Sequence, residues 1–135
     1  MSKLIALDTN ILVYLHEPSD TIKRERAIEL MAEVPMISSQ VVSEYINVLR
    51  RLLKVSKADL LREVASWLKV CEIVPVELST LYVAQELIER YDFQTFDAII
   101  VASALESNCT VLYSEDMQHN LLVEKKLRIL NPFKK

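Results

Sequence analysis

Lys3-Leu4-Ile5-Ala6-Leu7-Asp8-Thr9-Asn10-Ile11-Leu12-Val13-Tyr14-Leu15 is the stretch whose reading decides the fold. Lys3 to Leu7 is a short apolar run of strand length, closed by an acid. Thr9-Asn10 then lead into a second apolar run, Ile11 to Leu15, where the chain turns into a helix. A strand that is apolar on both faces belongs inside a sheet covered by helices on both sides.

The rest of the chain repeats that alternation. Asp20 or Thr21 caps a helix through Glu33, with Ile22, Ala27, Ile28, Leu30 and Met31 toward the core and Lys23, Arg24 and Arg26 toward water. Pro35 stops it, and Met36-Ile37-Ser38 reads as a second strand. Ser38 or Ser39 caps the next helix, where Val42, Tyr45, Ile46, Leu49 and Leu53 recur at helical spacing to about Lys54. Ser56 opens another helix with a stripe of Leu60, Leu61, Val64, Trp67 and Leu68. Cys71 to Val76 is a third strand, which Pro75 cuts into. Ser79 or Thr80 caps a helix to about Arg90. The segment from Phe96 to Leu105 is apolar nearly all round after Asp97, as a buried helix would be. Asn108 ends it, Thr110-Val111-Leu112-Tyr113 is a fourth strand, and Leu127 to Leu130 a fifth, closed by Asn131-Pro132. The expected class is therefore α/β: one domain over residues 1–135, with a central parallel sheet of about five strands flanked by helices.

Composition agrees. The chain has 135 residues, 51% hydrophobic and 26% charged, which suits one globular core. No apolar run approaches the roughly 20 residues that span a bilayer. The first apolar stretch is too short for a signal peptide, so the expected compartment is the cytoplasm. There, Cys71 and Cys109 are expected as free thiols. A net charge of −3 does not advertise a nucleic-acid partner, although converging carboxylates that hold a cation would reverse the local sign. Glycine is absent, which removes the glycine-rich phosphate loops of the P-loop and dinucleotide-binding classes.

The acids fall at telling places. Asp8 follows the first strand and Asp116 the fourth, both just past carboxyl ends where open α/β sheets bind their ligands. Asp97 opens the buried helix, and Glu44 lies one turn into the helix after the second strand. Four carboxylates on one rim would repel unless a cation neutralised them, and an all-oxygen set suits Mg²⁺ or Mn²⁺ rather than Zn²⁺. Each acid also has a plainer reading: Asp8 as a helix cap, Asp97 at the positive end of its helix, Asp116 as a turn residue and Glu44 as a solvated position. Spacing alone reaches a metal-binding α/β domain.

At these residues the sequence resembles the PIN-domain family, above all the toxin ribonucleases of VapBC toxin–antitoxin pairs. The matching segments are Leu7-Asp8-Thr9-Asn10, Ser43-Glu44, Phe96-Asp97-Ala98, Tyr113-Ser114-Glu115-Asp116-Met117 and the closing Ile129-Leu130-Asn131-Pro132-Phe133. The resemblance implies an endoribonuclease whose Asp8, Glu44, Asp97 and Asp116 bind Mg²⁺ or Mn²⁺, with Asn10 and Ser114 supporting them through hydrogen bonds. It implies metal-assisted phosphodiester hydrolysis that leaves 5′-phosphate and 3′-hydroxyl ends. It also implies a homodimer and a VapB-type antitoxin, whose groove is expected among the helices between Thr21 and Val70. Glu115 either shares metal duty or faces solvent. Related toxins often carry glycine where this chain has Asn120, and asparagine tolerates the left-handed backbone such a turn needs.

Arg50 and Arg51 are candidate RNA contacts, followed by Lys54, Lys125, Lys126 and Arg128; the plainer alternative is a solvated charged face. His16 and His119 are expected in structural or surface roles, and Trp67 in the core or an interface. Two other readings compete. A haloacid-dehalogenase-like phosphatase would need a second Asp two positions after Asp8, where Asn10 stands, and a catalytically silent PIN-like scaffold would normally have lost part of the quartet.

Overall fold

A computed structural model describes residues 4–134; the expected strand residue Lys3 lies outside them. The first strand, β1 (Ile5–Leu7), runs into α1 (Thr9–Val13) and one turn of 3-10 helix (Tyr14–His16). Then follow α2 (Thr21–Met31), β2 (Met36–Ser38), α3 (Ser39–Leu52), α4 (Lys57–Leu68), β3 (Glu72–Val74), α5 (Leu78–Tyr91) and α6 (Thr95–Glu106). The chain closes with β4 (Val111–Tyr113), β5 (Leu122–Val123) and β6 (Leu127–Leu130). The strands form one sheet in the order β3-β2-β1-β4-β6-β5. Five of them are parallel, as expected. The sixth, β5, is a two-residue edge strand antiparallel to β6 and too short to show periodicity.

Local chemistry sets most boundaries. Ser38 caps α3 by accepting from Val41 N at 3.2 Å, and Ser56 caps α4 by accepting from Asp59 N at 3.1 Å. Pro35 follows Val34, whose φ of 52° breaks the helical path after α2. The residues after α6 and before β5 turn through left-handed backbone at Asn108 (φ 60°) and Asn120 (φ 70°). A short polar side chain tolerates that region better than most, so the Asn120 turn forms without glycine.

Several expectations need correction. The cap of α5 is Glu77 rather than Ser79 or Thr80; Thr80 sits one turn in, and its hydroxyl accepts from Glu77 N at 3.1 Å. The third strand shrinks to Glu72–Val74 because Pro75 cannot donate to the ladder. Finally, α2 is turned from its expected face. Ala27, Leu30 and Met31 are buried, but Ile22 is 79% and Ile28 37% exposed. The supposedly wet residues instead reach inward with their charged ends: Arg24 Nε donates to Leu15 O at 3.0 Å, and Lys23 reaches Glu115. Long basic side chains cover apolar surface with their stems while the head finds a partner. Polar partners, rather than the apolar stripe, therefore set the helix rotation.

The core lies on both faces of the sheet. Leu7, Ile37, Leu112 and Ile129 are essentially inaccessible in the strands, and Ala98 to Ala104 of α6 are buried throughout. Leu61 of α4 is 53% exposed, whereas Leu60, Val64 and Leu68 bury. Cys71 and Cys109 are free thiols. Among the described residues no helix is long and apolar enough to cross a membrane.

Candidate active site

The sheet changes direction at β1. The chain builds β2 and β3 on one side of it, then returns to place β4 and β6 on the other. Ligands of such sheets bind in the crevice at this switch, beyond the strands' carboxyl ends. Leu7 of β1 stands opposite Tyr113 of β4, so the next residue of each strand, Asp8 and Ser114, project side by side. Asp8 N donates to Tyr113 O at 2.9 Å, and Ser114 Oγ donates to Asp8 Oδ2 at 2.7 Å.

Asp8 also caps α1, its Oδ1 accepting from Thr9 N at 2.7 Å. The capping reading is thus correct without displacing the other one, because Oδ2 still faces the crevice partners. Asn10 Nδ2 lies 3.3 Å from Asp8 Oδ2 and 3.2 Å from Asp116 Oδ2 and donates to both. Its Oδ1 accepts from Glu115 N at 3.1 Å. Asn10 therefore ties the first strand's loop to the fourth's. An aspartate there could not donate to two carboxylates, which removes the phosphatase-like arrangement.

Glu44 comes from the second turn of α3. Thr9 Oγ1 donates to its Oε1 at 3.1 Å and Gln40 Nε2 to its Oε2 at 2.8 Å. Neither helper was foreseen. Gln40 was legible in principle, since residues four apart on a helix are neighbours. Asp97 sits in the first turn of α6. All four acids line one cleft of about 890 Å³.

The electrostatics of the cleft are one-sided. Its lining holds eight carboxylates, the quartet together with Glu17, Asp20, Asp92 and Glu115, and no Lys, Arg or His. Asp8 is only 5% exposed, and burial pushes its pKa up to about 6; the Ser114 and Thr9 donors oppose the rise, while the charges of Asp97 and Glu44 add to it. Asp97 is likewise raised, by burial first and then by Glu44 and Asp116, with no donor to offset it. Asp8, Glu44, Asp97 and Asp116 thus feel one another across the cleft, and among the described residues none of the four has an ion-pair partner.

Whether a cation fits is a matter of donor chemistry. Among the described residues no three acids, histidines or cysteines stand close enough together to hold an ion as the side chains lie. The four acids nevertheless offer only oxygen ligands, from a buried Asp8, half-buried Glu44 and Asp97 and an exposed Asp116, and such a set suits Mg²⁺ or Mn²⁺.

Glu115 is engaged elsewhere. Burial tends to raise its pKa, but Lys23 and Tyr14 outweigh burial and hold it below the usual carboxylate range. Tyr14 OH donates to Glu115 Oε1 at 2.6 Å, and Lys23 Nζ pairs with Oε2.

The other candidates lie away from the cleft. Arg50 is exposed and bonds Asn47 Oδ1 at 2.8 Å, and Arg51, Lys54, Lys125 and Lys126 are exposed as well. Arg128 Nη1 donates to Asn120 O at 2.9 Å. His16 is enclosed by Tyr45, Glu63 and Trp67, and His119 Nδ1 accepts from Asn131 N at 2.9 Å. Two aromatic residues that sequence reading passed over, Tyr91 and Phe93, do line the cleft.

No curated protein gives a significant match to the sequence. Several solved structures share the fold. A toxin–antitoxin complex from Klebsiella pneumoniae superposes with a TM-score of 0.74 at 18% identity, covering 98% of this chain and 100% of that one. VapC20 of Mycobacterium tuberculosis, a sarcin-ricin loop cleaving toxin, gives 0.65 at 23% identity, covering 83% and 89%. VapBC2 from Rickettsia felis, bound to a DNA fragment from its promoter, gives 0.64 at 21%, covering 84% and 88%. The sequence model of the PIN domain matches residues 5–122, most of the chain. The chain therefore belongs to the PIN-domain family.

Proposed function

We propose that this protein is a divalent-cation-dependent endoribonuclease, the toxin of a type II toxin–antitoxin pair. The observation that carries the reading is the acid-lined cleft at the sheet's switch point, where Asp8, Glu44, Asp97 and Asp116 face one another with no basic residue among them. Asp8, Glu44, Asp97 and Asp116 would hold Mg²⁺ or Mn²⁺. When bound, the cation would neutralise the cleft and stabilise negative charge developing on the phosphodiester.

The protein's own groups supply the rest. Ser114, Asn10 and Thr9 fix the carboxylates of Asp8, Asp116 and Glu44 through hydrogen bonds, so that the oxygens meet a ligand already oriented. Asp97, in the first turn of α6 on the same cleft, would hold the cation with the other three, and a cleft carboxylate oxygen not engaged by it would accept the proton of an attacking water. Attack by water at phosphorus breaks the bond to the 3′ oxygen, which takes up a proton and leaves a 3′-hydroxyl and a 5′-phosphate.

The toxin reading draws on the neighbours, which include toxin–antitoxin complexes. On it, the protein acts in the cytoplasm as a homodimer and is silenced by a VapB-type antitoxin. The test is cleavage of labelled single-stranded RNA by the purified protein. Mg²⁺ should support cutting, EDTA should abolish it, and Asp97→Asn should lower the rate by at least about 100-fold, the scale of losing a positioned acid–base group. Full activity in Asp97→Asn would overturn the assignment.

A further inference from the structure

The cleft repels phosphate on its own walls, and its lining offers no arginine or lysine to attract a nucleic-acid backbone. Grip on a substrate must then come from another surface. The aromatic side chains at the α5–α6 junction supply one. We propose that Tyr91 and Phe93 form a base-stacking wall that positions the nucleobase beside the bond to be cut. This rests on the ribonuclease reading above and assigns its substrate grip to these two residues.

The backbone places the wall. Tyr91 is the last residue of α5, and Asp92 follows in left-handed conformation (φ 57°), reversing the chain. Phe93 and Gln94 then lead directly into α6, whose first turn carries Asp97. Both residues line the same cleft as the four acids. They are half-buried and pack against the core.

The wall is also stiff. Tyr91 OH donates to Glu124 Oε2 at 3.0 Å and accepts from Glu124 N at 2.9 Å, and Arg90 pairs with the same carboxylate. The Phe93 ring lies against Tyr91 with centroids 5.7 Å apart and planes tilted by 41°. A ring fixed in this way gives up little conformational freedom when a base stacks on it. Stacking accepts any base because each has a π-face, and it requires the base to be out of a duplex.

The probe is a mixed-sequence single-stranded RNA 20-mer carrying 2-aminopurine, whose fluorescence is quenched by stacking. It is mixed with the wild type, Phe93→Ala, Phe93→Leu or Phe93→Trp in Mg²⁺, with fluorescence read before turnover and cleavage read after. Phe93→Leu keeps apolar volume behind the wall but removes the aromatic face. The expected result is a KM raised about tenfold or more in the Ala and Leu variants, the scale of one base–aromatic stack. kcat should change little, the quench should be lost, and Phe93→Trp should restore both.

Unchanged KM and quench in Phe93→Leu, with Mg²⁺-dependent cleavage intact, would overturn the wall and leave the ribonuclease reading standing. So would equal cutting of the same RNA as a full duplex. A Phe93-dependent quench from a wild type that never cleaves would uphold the wall and remove the ribonuclease reading. Neither quench nor cleavage would remove both.

Discussion

Asp8 is nearly enclosed and holds Ser114, Thr9 and Asn10 through its two oxygens, yet its pKa is pushed up to about 6. The sign of its effect on stability follows. The folded protein keeps a proton on Asp8 that the unfolded chain, with a value near 3.8, releases earlier. Between about pH 4 and 6 the folded state binds more protons, so this residue's contribution falls as pH rises through that window. A shift of this size corresponds to about 3 kcal/mol. In EDTA, wild type should therefore lose stability relative to Asp8→Asn by up to that amount between pH 4 and 7, measured by urea unfolding. Parallel pH curves for the two proteins would show that the buried carboxylate carries no such strain. Ser114 and Asn10 were legible beforehand only through family resemblance. Their physical reason is now visible, since each donates to a carboxylate that burial and like charge make costly.

At the scale of elements, the sheet and its order of strands and helices were readable because buried parallel strands are apolar throughout and their helices carry clear caps. Misreadings occurred where partners rather than periodicity decide. The rotation of α2 follows Lys23 and Arg24 to their acceptors, and the start of α5 follows the Glu77–Thr80 pair. Tyr91 and Phe93 were passed over because a helix end and a two-residue turn carry no periodic signal; only the folded cleft shows them on one wall. The basic residues of α3 separate once the helix exists. At about 100° per residue, Arg51 lies within about 20° of Glu44 around the axis, on the stripe that includes cleft-lining Val48. Arg50 is turned about 120° away and is bonded to Asn47. If the RNA backbone leaves the cleft along α3, Arg51→Ala should reduce the slope of log affinity against log salt by about 0.7, the value of one single-strand phosphate contact. Arg50→Ala should leave the slope unchanged. Equal effects would place the backbone elsewhere.

For the whole molecule, the consequence of the topology is that β1 and β4 bring residues more than a hundred positions apart into one crevice, while α3 and α6 deliver an acid each to its walls. Sequence alone gave the acids a shared rim and a reason for Mg²⁺. The fold adds that the rim is an open cleft lined by eight carboxylates and that Glu115 is held by Lys23 and Tyr14. It adds an aromatic wall on the same cleft. The central claim is that this cleft hydrolyses RNA with water as the nucleophile and the acids as its machinery. Mass analysis of the ends produced from a single-stranded RNA by the wild type and by Asp97→Asn, each with Mg²⁺ and with EDTA, tests it most directly. Wild type in Mg²⁺ should give 3′-hydroxyl and 5′-phosphate ends, and the RNA should stay uncut under the other three conditions. Cyclic 2′,3′-phosphate ends, which mark attack by the RNA's own 2′-hydroxyl, or the same products from Asp97→Asn or in EDTA, would contradict it.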